Sequence, residues 1–488
     1  MIGGVGVKKL TILLVALLIT VFSFGSHVSA FSQNDLDYCL NDEQEPVYTS
    51  KTYEYVETLS YINGADPAEL HNPEDLFIDS KGELYIADTG NNRIVRTTLD
   101  GKLIAVYKNE SDPFYQPTGV FVDTNGDIYV ADSGNKRIVI LDTDGSMKIA
   151  IGKPESDLLS DVNNFIPVKV AVGTTGYIYT IVGKDFMSID TEGNFKGFVG
   201  AERLGFSLMR LFINLFASEE QKARLPSDQP PSYTNFTVND SGEIFACSGG
   251  DDDQIKMLNY LGSNIYSAGF YGEILTGSKY STSQYPVFAD ICVDSSGTVT
   301  LIEQRSGKVY QYDKEGNSVT VFGGLGTTRG YFQSPVAIDR DEKGNLYILD
   351  KNMNNIQVFK PTEFLNTITR ANESYFSGDY AVSLAEWEKV VKINPDYPLA
   401  ATRIGKIYYK NEQYLASLDS YYSGDDMVGY SETFGELRHL FIRDNMGVLA
   451  VVLIVLAIGL TISIKALRKY TKKNIDAFYY GEQHDKKG

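Results

Sequence analysis

The sequence predicts a mainly β protein: a six-bladed β-propeller, followed by a small α-helical domain and one transmembrane helix. Three observations predict it. A unit of apolar runs and Gly/Asp turns returns six times between residues 75 and 361, the apolar period then changes from two to helical, and Met446 to Ile464 is nineteen residues without a charge.

The first unit reads Asp75-Leu-Phe-Ile-Asp-Ser-Lys-Gly-Glu-Leu-Tyr-Ile-Ala-Asp-Thr-Gly-Asn-Asn-Arg-Ile-Val95, and Gly119 to Val139 repeats it closely. Apolar runs of strand length alternate with turn residues, so each unit reads strand, turn, strand, turn, strand, with a fourth strand at Leu103 to Val106 and at Met147 to Ile151. Aligning the units on the first turn glycine gives Gly82, Gly126, Gly176, Gly242, Gly297 and Gly344, spaced 44, 50, 66, 55 and 47 residues apart. Periods of that length mark an array of supersecondary units, not one continuous core. Four-stranded sheets arranged radially protect one another's edges, which gives the propeller. The sixth unit supplies three strands before Pro361, and the strand-like Tyr53 to Ile62 is expected to complete it and close the ring.

These units resemble NHL repeats, whose members carry an apolar strand ending in Asp, then Gly, Leu-Tyr-Ile-Ala-Asp and Gly-Asn-x-Arg-Ile. The first two copies match closely and the sixth well, over roughly residues 50 to 360. The resemblance implies a propeller used mostly for binding, with enzymatic relatives among gluconolactonase-like and amidating-lyase propellers. The latter use several histidines, whereas His71 stands alone in this array.

The repeating Asp88, Asp132, Arg93 and Arg137 read as scaffold: Asp bonds to turn backbone and Arg packs along the blade. Propeller ligands usually lie at the channel mouth. Counting four residues back from the end of each innermost strand gives Asp75, Gly119, Lys169, Asn235, Asp290 and Ala337. Of these Asp75, Lys169, Asn235 and Asp290 are the candidate ligand-binding residues, joined by Glu74 one step earlier. Such oxygens suit a hard cation and equally the hydroxyls of a sugar. A calcium-like divalent ion could be held there but is not expected.

Residues 1–30 combine Lys8 and Lys9, an apolar run from Leu10 to Phe24 and a small-residue end at Val28-Ser-Ala30, which reads as a secretory signal; an uncleaved anchor is the alternative. The span at 446–464 is long enough to cross a bilayer, and Lys465, Arg468, Lys469, Lys472 and Lys473 behind it belong on the cytoplasmic side. The expected setting is a bacterial cell membrane crossed once, with the propeller (47–361) outside and 465–488 as a basic cytoplasmic tail. The net charge is −19; seven basic and three acidic residues on the tail and two lysines in the signal leave about −25 on the exported part. Such a surface argues against nucleic acid as a partner. Cys39, Cys247 and Cys292 are too few for a disulfide framework.

The long third interval, between the third and fourth units, holds an apolar helical stretch at 203–223, which needs a cover: the propeller, the later helices, or a membrane partner. Beyond Pro361, Gly378-Asp-Tyr380, Trp387 and Asn394-Pro395 fit part of a tetratricopeptide (TPR) unit, and Gly405, Tyr408 and Tyr414 fit the next. That resemblance covers 362–424 and implies protein contacts through Tyr380, Trp387, Tyr408 and Tyr414; a linker helix at 425–445 then leads to the span. The chain has no nucleophile elbow, HExxH or Walker loop. The sequence therefore reads as a membrane-anchored binding or assembly protein for a carbohydrate or peptide, with the helices joining a membrane complex such as a transporter. A lactonase-type hydrolase with a divalent ion at the channel is the alternative.

Overall fold

The computed structural model describes residues 36–484, apart from 109–110, 160–163, 184, 201–232, 240, 250–251, 260–261 and 276–283. The expected signal at 1–30 and the helical stretch at 203–223 lie outside the described residues. The chain divides into two compact units, Met1–Tyr397 and Pro398–Gly488.

The first unit contains a six-bladed β-propeller. Blade one runs Asp75–Ile78, Glu83–Asp88, Arg93–Thr98 and Leu103–Tyr107, each strand antiparallel to the next. Blades two and three, starting with Pro117–Val122 and Pro167–Val172, have the same order, and blade four (from Tyr233–Val238) shows three strands among the described residues. Blade six pairs its third strand, Asn355–Pro361, with Tyr53–Leu59, which closes the ring. Blade five (from Phe288–Val293) has an addition the repeat does not predict: a hairpin of Asp37–Leu40 and Pro46–Thr49 extends it to six strands. Glu273 Oε2 secures that hairpin by accepting from Tyr38 Oη at 2.5 Å, Lys308 Nζ at 2.8 Å and Tyr310 Oη at 2.8 Å.

Local chemistry explains the strand spacing. Asp79 Oδ1 accepts from the amides of Lys81 and Glu83, both at 2.9 Å, and Gly82 follows at φ +72°. The Asp side chain mimics a backbone turn and Gly takes the left-handed position without a Cβ clash. Asp123, Asp294 and Asp341 repeat that pair of bonds. Second strands such as Ile128–Asp132 and Leu346–Asp350 are buried along their whole length, and each core cluster spans two neighbouring blades. Burying one such Leu, Ile or Val contributes roughly 1.5–3 kcal/mol.

After Pro361 the helices Glu363–Phe376 and Tyr380–Ile393 form a hairpin, capped by Thr362 and Asp379. Trp387 is fully buried against Tyr397, whose hydroxyl donates to Val319 O of blade five at 2.7 Å. This hairpin therefore packs on the propeller.

The second unit holds helices Pro398–Lys410, Tyr414–Ser423, Met427–Asp444 and Met446–His484. Ser383 Oγ donates to Ala371 O at 2.8 Å, and 34 residues on Ser417 Oγ donates to Gly405 O at 2.9 Å. The two hairpins thus share one internal construction. Gly405 is required, since a Cβ there would lie 2.8 Å from the Tyr421 ring. Among the described residues one helix, Met446–Lys472, is long and apolar enough to cross a membrane.

Candidate functional site

The innermost strands bring Asp75, Lys169 and Asp290 together. Lys169 Nζ donates to Asp75 Oδ1 at 2.7 Å and stands 3.8 Å from Asp290 Oδ1. These residues come from blades three, one and five, so alternate blades meet at one ammonium. The remaining carboxylate oxygens face backbone: Asp75 Oδ2 accepts from Val120 N at 2.9 Å and Asp290 Oδ2 from Ile338 N at 2.8 Å. Each acid thereby ties its blade to the next. Asn235 does the same from blade four, donating from Nδ2 to Ala289 O at 3.1 Å while its Oδ1 accepts from Phe236 N.

Asp339 joins this hub from blade six, its Oδ2 accepting from Ile78 N of blade one at 2.7 Å. Sequence reasoning passed over it because the ring position in that strand is Ala337. Residues two apart share a face of a strand, so repeating the count two residues later would have found Asp339 as the lone acid beside Phe77, Phe121, Ala171, Thr237 and Cys292.

Burial sets the electrostatics. Asp75 and Asp290 are 1% and 2% exposed, and Asn235 is 9% exposed. Burial pushes Asp290 up to about 7; Lys169 opposes this and Asp75 adds to it. Burial likewise raises Asp339 to about 6, and Asp75 is raised for the same reason against the pull of Lys169. For Lys169, burial disfavours the ammonium, but Asp290 and Asp75 outweigh it and hold its pKa above the ordinary lysine value. The charged lysine is therefore secured at neutral pH.

Glu74 is placed differently. It faces a cleft of about 500 Å³ whose lining includes Asn72, Tyr115, Gln116, Lys136 and Lys351, and it pairs with Lys351. Tyr115 is 53% exposed. The hydroxyls of Thr118 and Ser133 also line the cleft and bond to each other.

The signature turns shape this cleft. Asp132 Oδ1 accepts from Tyr115 N at 2.8 Å, and Asp88 Oδ1 accepts from His71 N at 2.8 Å. The expected bond to the acid's own turn backbone is replaced by one to the loop that enters the blade; the turn itself is reached through the Asn91 and Asn135 side chains. Arg93 Nε donates to Asp88 Oδ2 at 2.7 Å, with both side chains fully buried, and Arg137 does the same to Asp132. Gly134 must be glycine, because a Cβ would lie 2.3 Å from Tyr115 O.

Of the helical candidates, Trp387 is wholly inside its hairpin, while Tyr380, Tyr408 and Tyr414 are half-buried. Tyr380 leans on Tyr375, with ring centroids 5.7 Å apart, and Tyr414 on Tyr409 at 5.6 Å. Tyr115, Lys136 and Lys351 are cleft residues that the sequence reasoning missed, since each sits in a loop or turn outside the counted strands.

The NHL repeat family matches residues 70–96 and 114–141, in the first two blades. The chain thus carries NHL repeats on a six-bladed propeller. Among solved structures it is similar to virginiamycin B lyase from Staphylococcus aureus, at 14% identity over 67% of this chain and 88% of that one, with a TM-score of 0.39. It is also similar to a provisionally named gluconolactonase (11% identity, 67% of this chain and 98% of that one, TM-score 0.40) and to the WD40 propeller of Doa1 (12%, 68% and 92%, TM-score 0.40). No curated protein matches the chain.

Proposed function

We propose that the chain is a membrane-anchored binding or assembly protein, with its propeller outside the membrane and its C-terminal tail in the cytoplasm. The propeller recognises a carbohydrate or peptide in the cleft beside Glu74, and the paired helices join a membrane complex such as a transporter. The cleft carries the ligand reading. Its volume is within the range of small-ligand pockets, and it offers an exposed tyrosine ring, two side-chain amides, hydroxyls and a lysine–carboxylate pair. Aromatic faces with amide and hydroxyl donors suit sugar rings and extended peptides alike. In this reading Asp75, Lys169, Asn235 and Asp290 fix the register of the strands carrying the cleft, and Glu74 touches the ligand.

Two features support the cellular setting. The basic cluster from Lys465 directly follows the apolar span, as the positive-inside rule requires of a cytoplasmic tail. The 34-residue recurrence of the Ser–carbonyl bond supports a TPR-like pair of hairpins, on which the half-buried Tyr380, Tyr408 and Tyr414 are the candidate partner contacts.

The test is a thermal-shift screen of full-length protein in nanodiscs against oligosaccharides and peptides. Tyr115→Ala and Glu74→Ala should each abolish the shift produced by a hit while leaving the ligand-free melting temperature within about 2 °C. A shift that survives both changes would place the ligand elsewhere and sink the reading.

A further inference from the structure

The lactonase-type alternative requires a divalent ion at the propeller's centre, so the hub can be asked whether it fits one. Calcium takes six to eight oxygens at about 2.3–2.6 Å. The hub's oxygens are largely committed: Asp75 Oδ2, Asp290 Oδ2 and Asp339 Oδ2 each hold an amide of the neighbouring blade, and Asn235 Oδ1 holds Phe236 N. That leaves Asp75 Oδ1 and Asp290 Oδ1 facing Lys169 Nζ, at 2.7 and 3.8 Å. Asp290 Oδ1 is buried and has no hydrogen-bond partner, so the ammonium is its close counter-charge. The ring positions in blades two and six are Gly119 and Ala337, which bring no ligand atoms. At Gly119 there is little room for one, since a Cβ would lie 3.0 Å from Val168 O and 3.1 Å from Lys169 Cα. Among the described residues no group of three or more His, Cys, Asp or Glu is set to hold a metal.

We propose that the Lys169 ammonium is the resident cation of the hub, taking the place a divalent ion would occupy between Asp75 and Asp290. A metal ion and this ammonium cannot share the site: both would seek the same two oxygens at contact distance, and like charges repel most strongly where water is excluded. The lysine supplies what a metal would supply structurally, a positive charge joining blades one, three and five. It supplies no open coordination position for a substrate. The hub is therefore metal-independent as built, and a small cation can enter it only when the lysine head is removed. This inference does not depend on what the cleft binds.

The test uses the full chain in detergent, with melting temperature as the readout. For the wild type, neither millimolar calcium or manganese nor excess chelator should move the melting temperature by more than about 1 °C. Lys169→Ala should melt several degrees lower and recover at least part of that loss with calcium or with propylammonium, which refills the vacated space. Lys169→Met, which fills the space without a charge, should melt lower and recover with neither. A chelator-sensitive wild type, or a Lys169→Ala protein that responds to neither cation, would overturn the proposal. If Lys169→Ala fails to fold, the wild-type measurement and Lys169→Gln carry the test, Lys169→Gln being expected to fold with a lowered melting temperature. Calcium-dependent stability in the wild type would still refute the proposal.

Discussion

Lys169 Nζ lies 2.7 Å from Asp75 Oδ1, so a side chain from the third blade neutralises a carboxylate of the first. Breaking a buried pair from one side leaves a bare charge, which typically costs about 3–5 kcal/mol. Lys169→Met should therefore lower the melting temperature more than the double change Lys169→Met with Asp75→Asn, which removes both charges. Equal losses in a comparative thermal melt would show that the pair contributes nothing.

The hub should also respond to pH. Asp290 rises from an ordinary 3.8 to about 7 and Asp339 to about 6, so in both the folded state binds the proton more tightly than the unfolded chain. Their stabilising contribution is full below about pH 4 and is lost as pH rises through the folded values. Stability should accordingly fall between about pH 4 and about pH 7, and Asp290→Asn should flatten that slope. Denaturant midpoints at a series of pH values decide it; an unchanged slope in the variant would remove Asp290 from the account.

The repeated Asp–Arg pairs differ in burial, and the difference is measurable. Arg93 and Asp88 are both fully enclosed, whereas Arg137 is partly exposed and has Asp112 as a second partner. Asp88→Ala should destabilise the propeller by roughly 3–5 kcal/mol, whereas Asp132→Ala should cost less. The reverse order in denaturant melts would contradict the burial argument.

Tyr397→Phe removes the buried donor to Val319 O. The expected loss is about 1–3 kcal/mol, appearing as faster proteolysis of the 363–397 hairpin with the blades still protected. Cleavage at wild-type rates would mean that the hairpin is held by other contacts.

Much of this architecture was legible from composition and period, because each blade repeats its own turn chemistry: Asp79 with Gly82 and Asp341 with Gly344 mark strand ends wherever they recur. The convergence of Asp75, Lys169 and Asp290 was also within reach, since counting back from those turns places them in one ring. What escaped has a common physical cause. The hairpin at Asp37–Leu40 and Pro46–Thr49 pairs with a strand far along the chain, Tyr38 opposite Val321, and its attachment through Tyr38, Lys308 and Glu273 leaves no local pattern. Tyr115 and Lys351 meet around one cleft only because the ring brings loops of separate blades together, a relation no period contains. Trp387 reads from sequence as a surface anchor for a partner, yet its size fits the interior of its own hairpin, beside Tyr397.

The closure of blade six by Tyr53–Leu59 has a mechanical consequence. Pro361 lies opposite Tyr53, so the ring's first and last strands end side by side, and tension on the chain beyond Pro361 would peel them apart one bond at a time. Thr362 guards that end: its amide donates to Thr52 O at 2.9 Å and its hydroxyl to Lys51 O at 2.8 Å. Load arriving along the chain beyond Tyr397 must first extract the Trp387 core and break the Tyr397 bond to Val319. The docked hairpin thus works as a strain relief for the seam where Tyr53–Leu59 closes blade six.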